Sequence, residues 1–303
     1  MQEVASGLQF PEGPIAMADG SVVLVEIRRG TLTRVTPDGR RETIAKLGGG
    51  PNGAAIGPDG AAYVCNNGDA WAWQEGETTH LPDGPPAHGY TTGYIQRVDL
   101  KTGQFTTLYD HSDGKPLNSP NDIVFDGTGG FWFTCLGYSD GETRRLGAVY
   151  YARADGSKII RWRSGLISPN GIGLSPDGTR VYIADCMVAK LVEFTLSRDG
   201  VMVDPEHPLS PGRIVCALPG FQWLDSLAVE ADGGICVATL WNGGITVFQP
   251  DGRYEHVPVP DPVTTNICFG GVDMRDAWIT ASSTGKLYKT RWPRPGLELP
   301  FNA

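Results

Sequence analysis

The stretch Ser168-Pro169-Asn170-Gly171-Ile172-Gly173-Leu174-Ser175-Pro176-Asp177-Gly178-Thr179-Arg180-Val181-Tyr182-Ile183-Ala184 contains a phrase that recurs along the chain. A polar residue, Asn170, opens a short apolar run. Pro176-Asp177-Gly178 then supplies turn chemistry: Asp bonds its own backbone and Gly accepts positive φ. A second strand-like run follows at residues 180–184. The phrase begins at Glu12, Asn52, Asn121, Asn170, Asp225 and Asn266. An acidic residue stands seven positions later in five of the six, at Asp19, Asp59, Asp177, Asp232 and Asp273. Gly comes next in four of these, at Gly20, Gly60, Gly178 and Gly233.

Successive phrases start 40, 69, 49, 55 and 41 residues apart. Periods of about 40–50 residues with short strands and turns indicate propeller blades. Third runs (residues 147–151, 190–195 and 244–249) and a fourth (residues 253–257) complete the units. The predicted fold is all-β: a six-bladed β-propeller of four-stranded blades, one domain over residues 1–303, with a central metal site. The first strand of each blade lines the channel, so its opening residue projects at one channel end. The Asn266 phrase replaces the Asp-Gly turn with Asp273-Met274, and residues 4–9 are positioned to close the ring as a borrowed strand.

Composition narrows the function classes. The 303 residues include 41 Gly and 23 Pro and carry a net charge of -9, without the basic footprint that nucleic acid demands. No apolar run approaches the ~20 residues of a membrane span. Residues 1–10 show no basic segment followed by an apolar stretch, so a cytoplasmic location is expected. The expected partner is a small molecule, with the protein a monomer or small homo-oligomer. The six Cys form no CxxC pair and read as buried small hydrophobes. Trp132, Trp162, Trp223, Trp241 and Trp278 read as blade-core aromatics, with Trp223 and Trp241 also candidates for the channel mouth near Asp225.

The six opening residues supply two carboxylates and four carboxamides, with no His or Cys. Hard oxygen donors of this kind suit one divalent cation, Ca²⁺ first, with Zn²⁺, Mn²⁺, Mg²⁺ or Fe²⁺ as further candidates. Asn and Asp are also ordinary turn residues, so a single instance would mean little. Glu12 discriminates, because Glu is a poor turn former and Pro11-Glu12-Gly13-Pro14 holds it rigidly. The 69-residue interval contains an insertion at about residues 68–93, with Trp71, Trp73, His80, His88 and Tyr90, read as a loop over the channel mouth.

Phe10-Pro11-Glu12-Gly13-Pro14, Ser119-Pro120-Asn121-Asp122, Ser168-Pro169-Asn170-Gly171 and Leu224-Asp225-Ser226-Leu227 resemble the gluconolactonase / senescence-marker-protein (regucalcin) family. The resemblance runs over essentially the whole chain, Cys268-Phe269-Gly270-Gly271 included. It implies a six-bladed propeller with one divalent metal in the channel, bound by Glu12, Asn170 and Asp225, with Asn121 on metal or substrate and Asn52 a further channel residue. Animal sugar-lactonase members carry Arg two positions before the residue matching Asn121; here that position is Ser119. Loss of this charged anchor, together with Trp71, Trp73 and Tyr90, favours a less polar or aromatic substrate.

The function expected is metal-dependent hydrolysis of a lactone, with Asp225 as the carboxylate that assists water. The same residues also look like those of diisopropylfluorophosphatase, where the carboxylate matching Asp225 would attack phosphorus directly. A non-catalytic metal-binding propeller is the third reading.

Overall fold

A computed structural model describes residues 1–73, 91–139, 142–197 and 212–301. Most of the 68–93 insertion, including His80, His88 and Tyr90, lies outside the described residues.

Six four-stranded antiparallel sheets follow one another along the chain as blades. Their innermost strands are Pro11–Ala16, Pro51–Ile56, Pro120–Phe125, Pro169–Leu174, Trp223–Val229 and Thr264–Gly270, in blades 1 to 6. Each innermost strand packs on its neighbours around a channel, and blade 6 meets blade 1. Blade 6 takes its outer strand, Gln2–Ala5, from the N-terminal end of the chain, paired with Lys286–Arg291. The N-terminal end thus closes the ring, but through Gln2–Ala5, which shares only Val4 and Ala5 with the expected 4–9 segment. Helix is confined, among the described residues, to a 3₁₀ turn at Cys186–Val188, and none of it could cross a membrane.

The recurring acid works at the turn between the first two strands. Asp19, Asp59, Asp177, Asp232 and Asp273 each accept the backbone N–H two residues on, at 2.9, 3.3, 3.0, 3.3 and 3.3 Å. Blade 3 does the same from Asp126, which accepts Thr128 N–H at 2.7 Å. In blade 6 Met274 takes φ +55, the left-handed conformation that glycine occupies in the other phrases. These acids brace the end of each blade away from the six opening residues and leave the channel chemistry to the latter.

The opening residues differ from the strand ends expected. Each lies inside its innermost strand, at a β-bulge. Pro51 faces Asn66 and Ala54 faces Val64, so three steps on one strand meet two on the other. The same slip occurs between Glu12 and Ile15, Pro120 and Ile123, Pro169 and Ile172, Leu224 and Leu227, and Thr264 and Asn266. A bulge re-aims one side chain and frees local backbone groups, which is why bulges gather at sites. Small residues beside the bulges let neighbouring strands approach closely. A Cβ on Gly53 would meet Asn121 O at 2.5 Å, and one on Gly171 would meet Asp225 O at 2.6 Å.

Apolar side chains fill the spaces between blades, and Trp132 and Trp278 are buried there as expected. Trp162 packs partly buried on the same core. Trp241 departs from that reading, being 40% exposed. The far channel end is apolar and closed by the C-terminal segment, where Leu297 N–H donates to Val229 O at 2.8 Å and Gly296 N–H to Met274 O at 2.7 Å.

Candidate metal and catalytic site

The bulges place Glu12, Asn52, Asn121, Asn170, Asp225 and Asn266 around one channel end, all buried. Glu12 feels the charges of Asp225 and Asp122, so the strands of blades 1, 3 and 5 bring three carboxylates into electrostatic reach. Burial is the main cause that raises Glu12 well above the carboxylate range, followed by Asp225 and then Asp122. Burial likewise pushes Asp225 up to about 8, against the Asn170 amide, and Asp122 up to about 7.

One oxygen of Glu12 is held firmly. Its Oε2 accepts Asn266 Nδ2 at 2.7 Å and the backbone N–H of Gly13. Its Oε1 is buried and has no hydrogen-bond partner, and neither has Asn121 Oδ1. Two acceptor oxygens left without donors in the interior are costly, and a cation would be a suitable partner for each. By its chemistry the donor set fits a hard divalent ion: Glu12 and Asp225 would balance its charge, while Asn121 and Asn170 would add neutral oxygens. Among the described residues no three His, Cys, Asp or Glu side chains form a metal cluster, so the central metal site expected from the sequence is not shown by clustered carboxylates. Asn52 differs, because its unpaired buried atom is Nδ2, a donor, which suits a substrate oxygen and not a cation.

Asn170 is held from several sides. Its Oδ1 accepts Ser226 Oγ at 3.4 Å, its carbonyl accepts Thr134 Oγ1 at 2.5 Å, and its amide also bonds Asp225. Ser119 is fully buried behind Asn121, with φ +61 and its carbonyl accepting Leu136 N–H at 2.9 Å. Trp71 is partly buried and meets Phe10 edge-on at 6.5 Å. Tyr90 lies outside the described residues.

Two residues at the site escaped the sequence reading. Asp122 accepts Ile123 N–H at 2.9 Å and, across the blade boundary, Ile172 N–H at 3.2 Å, and it also bonds Leu227 N–H and the Ser226 hydroxyl. Its signal was present in Asn121-Asp122, the only phrase in which an acid directly follows the opening residue. The other is Cys186. Its thiol contacts the Asn170 amide and feels Asp225, and burial pushes its pKa well above the usual thiol value. Nothing in its spacing marked it, because the 3₁₀ turn that follows the second strand of blade 4 carries it, with its N–H on Ser168 O at 3.0 Å.

These features define a class: a six-bladed propeller whose bulged inner strands present carboxylates and carboxamides at one channel end. The sequence pattern described as SMP-30/Gluconolactonase/LRE-like region matches residues 10–283, and the chain belongs to that family. It is 26% identical to a gluconolactonase of Zymomonas mobilis over 300 residues, covering 89% of this chain and 76% of the relative. A lactonase of Staphylococcus epidermidis is 28% identical over 249 residues, with 81% and 68% covered. Among solved structures, a gluconolactonase from Xanthomonas campestris superposes with a TM-score of 0.73 at 23% identity, covering 97% of this chain and 88% of that one. A calcium-binding regucalcin from Agrobacterium tumefaciens gives 0.75 at 20%, with 98% and 94% covered. Both structures share the fold.

Proposed function

We propose that this protein is a divalent-metal-dependent lactonase, with Glu12, Asn121, Asn170 and Asp225 holding the ion. The observation that carries the reading is the pair of unpartnered buried acceptors, Glu12 Oε1 and Asn121 Oδ1, beside the Asp225 carboxylate. The names of the lactonase relatives supply the substrate class. An all-oxygen donor set favours Ca²⁺. When bound, the ion supplies Lewis-acid stabilisation of charge on the lactone carbonyl oxygen.

The chain's own groups do the rest. Asn52 Nδ2 donates to a substrate oxygen and orients the ring. Asp225 takes a proton from water as the water oxygen bonds to the carbonyl carbon. The ring C–O bond then breaks, and the proton passes to the departing oxygen. A hydroxy acid leaves, and Asp225 is regenerated. The Ser226–Asn170 bond fixes the carboxamide beside Asp225 while this happens.

The test pairs metal content with turnover. Glu12→Gln and Asp225→Ala should lower hydrolysis of a lactone panel by about a hundredfold or more and release metal during dialysis. Near wild-type rates with full metal content would overturn the proposal.

A further inference from the structure

Phe221, Trp223 and Trp241 form a contiguous aromatic surface at the mouth of blade 5. Phe221 and Trp241 are stacked, with centroids 5.8 Å apart and planes at 24°. Trp223 meets Trp241 edge-on at 5.8 Å and Phe221 at 6.2 Å. Phe221 is 75% exposed and Trp241 is 40% exposed. Single exposed apolar residues need no explanation, but three rings in mutual contact form a patch of the kind that marks a binding surface.

The position of the patch ties it to the site. Trp223 starts the strand that carries Asp225 two residues later, about 7 Å along an extended chain. Trp223 pairs with Leu240, and Trp241 follows directly. Trp223 also packs against the core cluster that contains Phe10, two residues before Glu12. Phe10 meets Trp73 at 5.4 Å, so aromatic surface reaches the strands of both candidate carboxylates.

Trp241 is also held in a costly conformation. Its φ of +71 is left-handed, which is uncommon for a bulky residue, and strain of this kind clusters at functional sites. Its N–H donates to Pro262 O at 2.6 Å, which fixes that backbone. Gln222 Nε2 donates to Pro219 O at 2.6 Å and steadies the loop that presents Phe221.

We infer that Phe221, Trp223 and Trp241 form a substrate subsite for a flat apolar substituent, so that the preferred substrate is an aryl-substituted lactone and not a polyhydroxylated sugar lactone. The reactive end of that substrate rests on the lactonase reading above; the subsite itself does not. A phenyl ring stacked on Trp241 and edge-on to Trp223 takes the geometry that aromatic pairs favour.

The test compares γ-phenyl-γ-butyrolactone with unsubstituted γ-butyrolactone in wild type, Phe221→Ser and Trp241→Gly. Phe221 is exposed enough to be replaced without loss of folding, which circular dichroism checks. The ratio of kcat/KM values, phenyl over unsubstituted, should favour the phenyl lactone in wild type and fall about tenfold in each variant, the size of discrimination apolar pockets provide. An unchanged ratio in folded variants overturns the inference. If wild type hydrolyses neither lactone, the lactonase reading fails and the subsite is judged by binding of 5-phenyl-2-pyrrolidinone, followed by tryptophan fluorescence. Binding weakened about tenfold in the variants supports the subsite, and absent or unaltered binding overturns it.

Discussion

Asn266 Nδ2 donates to Glu12 Oε2 at 2.7 Å, a bond between residues 254 positions apart that joins the last blade to the first. It sits beside the ring closure, where Ser282 Oγ donates to Pro11 O at 2.7 Å and Thr265 Oγ1 does so at 3.2 Å. Asn266 therefore orients Glu12 and leaves its Oε1 without a hydrogen-bond partner.

Replacing Asn266 by Leu removes the donor to Glu12 while keeping much of the volume. Partners that orient metal ligands typically contribute 10–100-fold in affinity. Asn266→Leu should weaken Ca²⁺ binding by about tenfold or more, read by calorimetric titration of metal-stripped protein. Unchanged affinity in a folded variant would remove Asn266 from this role.

The raised carboxyls give a pH signature. Glu12 and Asp225 are neutral to higher pH in the folded protein than in the unfolded chain, Asp225 up to about 8. The metal-free folded state therefore binds more protons than the unfolded state from about pH 4 upward, and its stability falls as pH rises toward 8. Saturating Ca²⁺ should reverse much of this loss, because the cation favours the charged carboxylates. Thermal unfolding from pH 5 to 8.5, in chelator and in Ca²⁺, measures both slopes. Parallel curves would mean that the carboxylates do not hold the ion.

The ring of six opening residues could be read from spacing, while the choice of Glu12, Asn121, Asn170 and Asp225 among them came from the family resemblance. Glu12 and Asp225 broke an Asn-rich pattern, and the Asp-Gly turns set the blade period. The bulges could not be read, because a one-residue slip depends on how Pro51 and Ala54 pair with a strand ten residues further on. Cys186 was invisible for a similar reason: strand pairing within blade 4, where Pro169 faces Asp185, sets it beside Asn170, and local pattern does not show that register. The mouth aromatics were partly legible. Trp223 and Trp241 resembled core residues by sequence, and only the exposed stack with Phe221 shows the difference.

Cys186 gives the site a soft neighbour. Its thiol is held neutral by burial but lies against Asn170 and within the field of Asp225. Thiophilic cations select such sulfur over oxygen donors. Cd²⁺ should inhibit wild-type turnover at about tenfold lower concentration than it inhibits Cys186→Ser, while Mg²⁺ should compete equally with both. Identical Cd²⁺ curves would place Cys186 outside the reach of the ion.

Asp122 links three blades beneath the site through its bonds to Ile123, Ile172, Leu227 and Ser226. Removing the carboxylate leaves at least two buried backbone donors unpaired, each costing about 1–3 kcal/mol. It also loosens Ser226, whose hydroxyl reaches Asn170 Oδ1. Asp122→Ala should therefore lower Tm by several degrees and weaken Ca²⁺ binding together. Asp122→Asn keeps an acceptor oxygen but loses the charge that acts on Glu12 and Asp225. It should retain most of the Tm while still binding Ca²⁺ more weakly. Calorimetry separates the two effects: a loss of Tm without any loss of affinity in either variant would make Asp122 a structural brace alone.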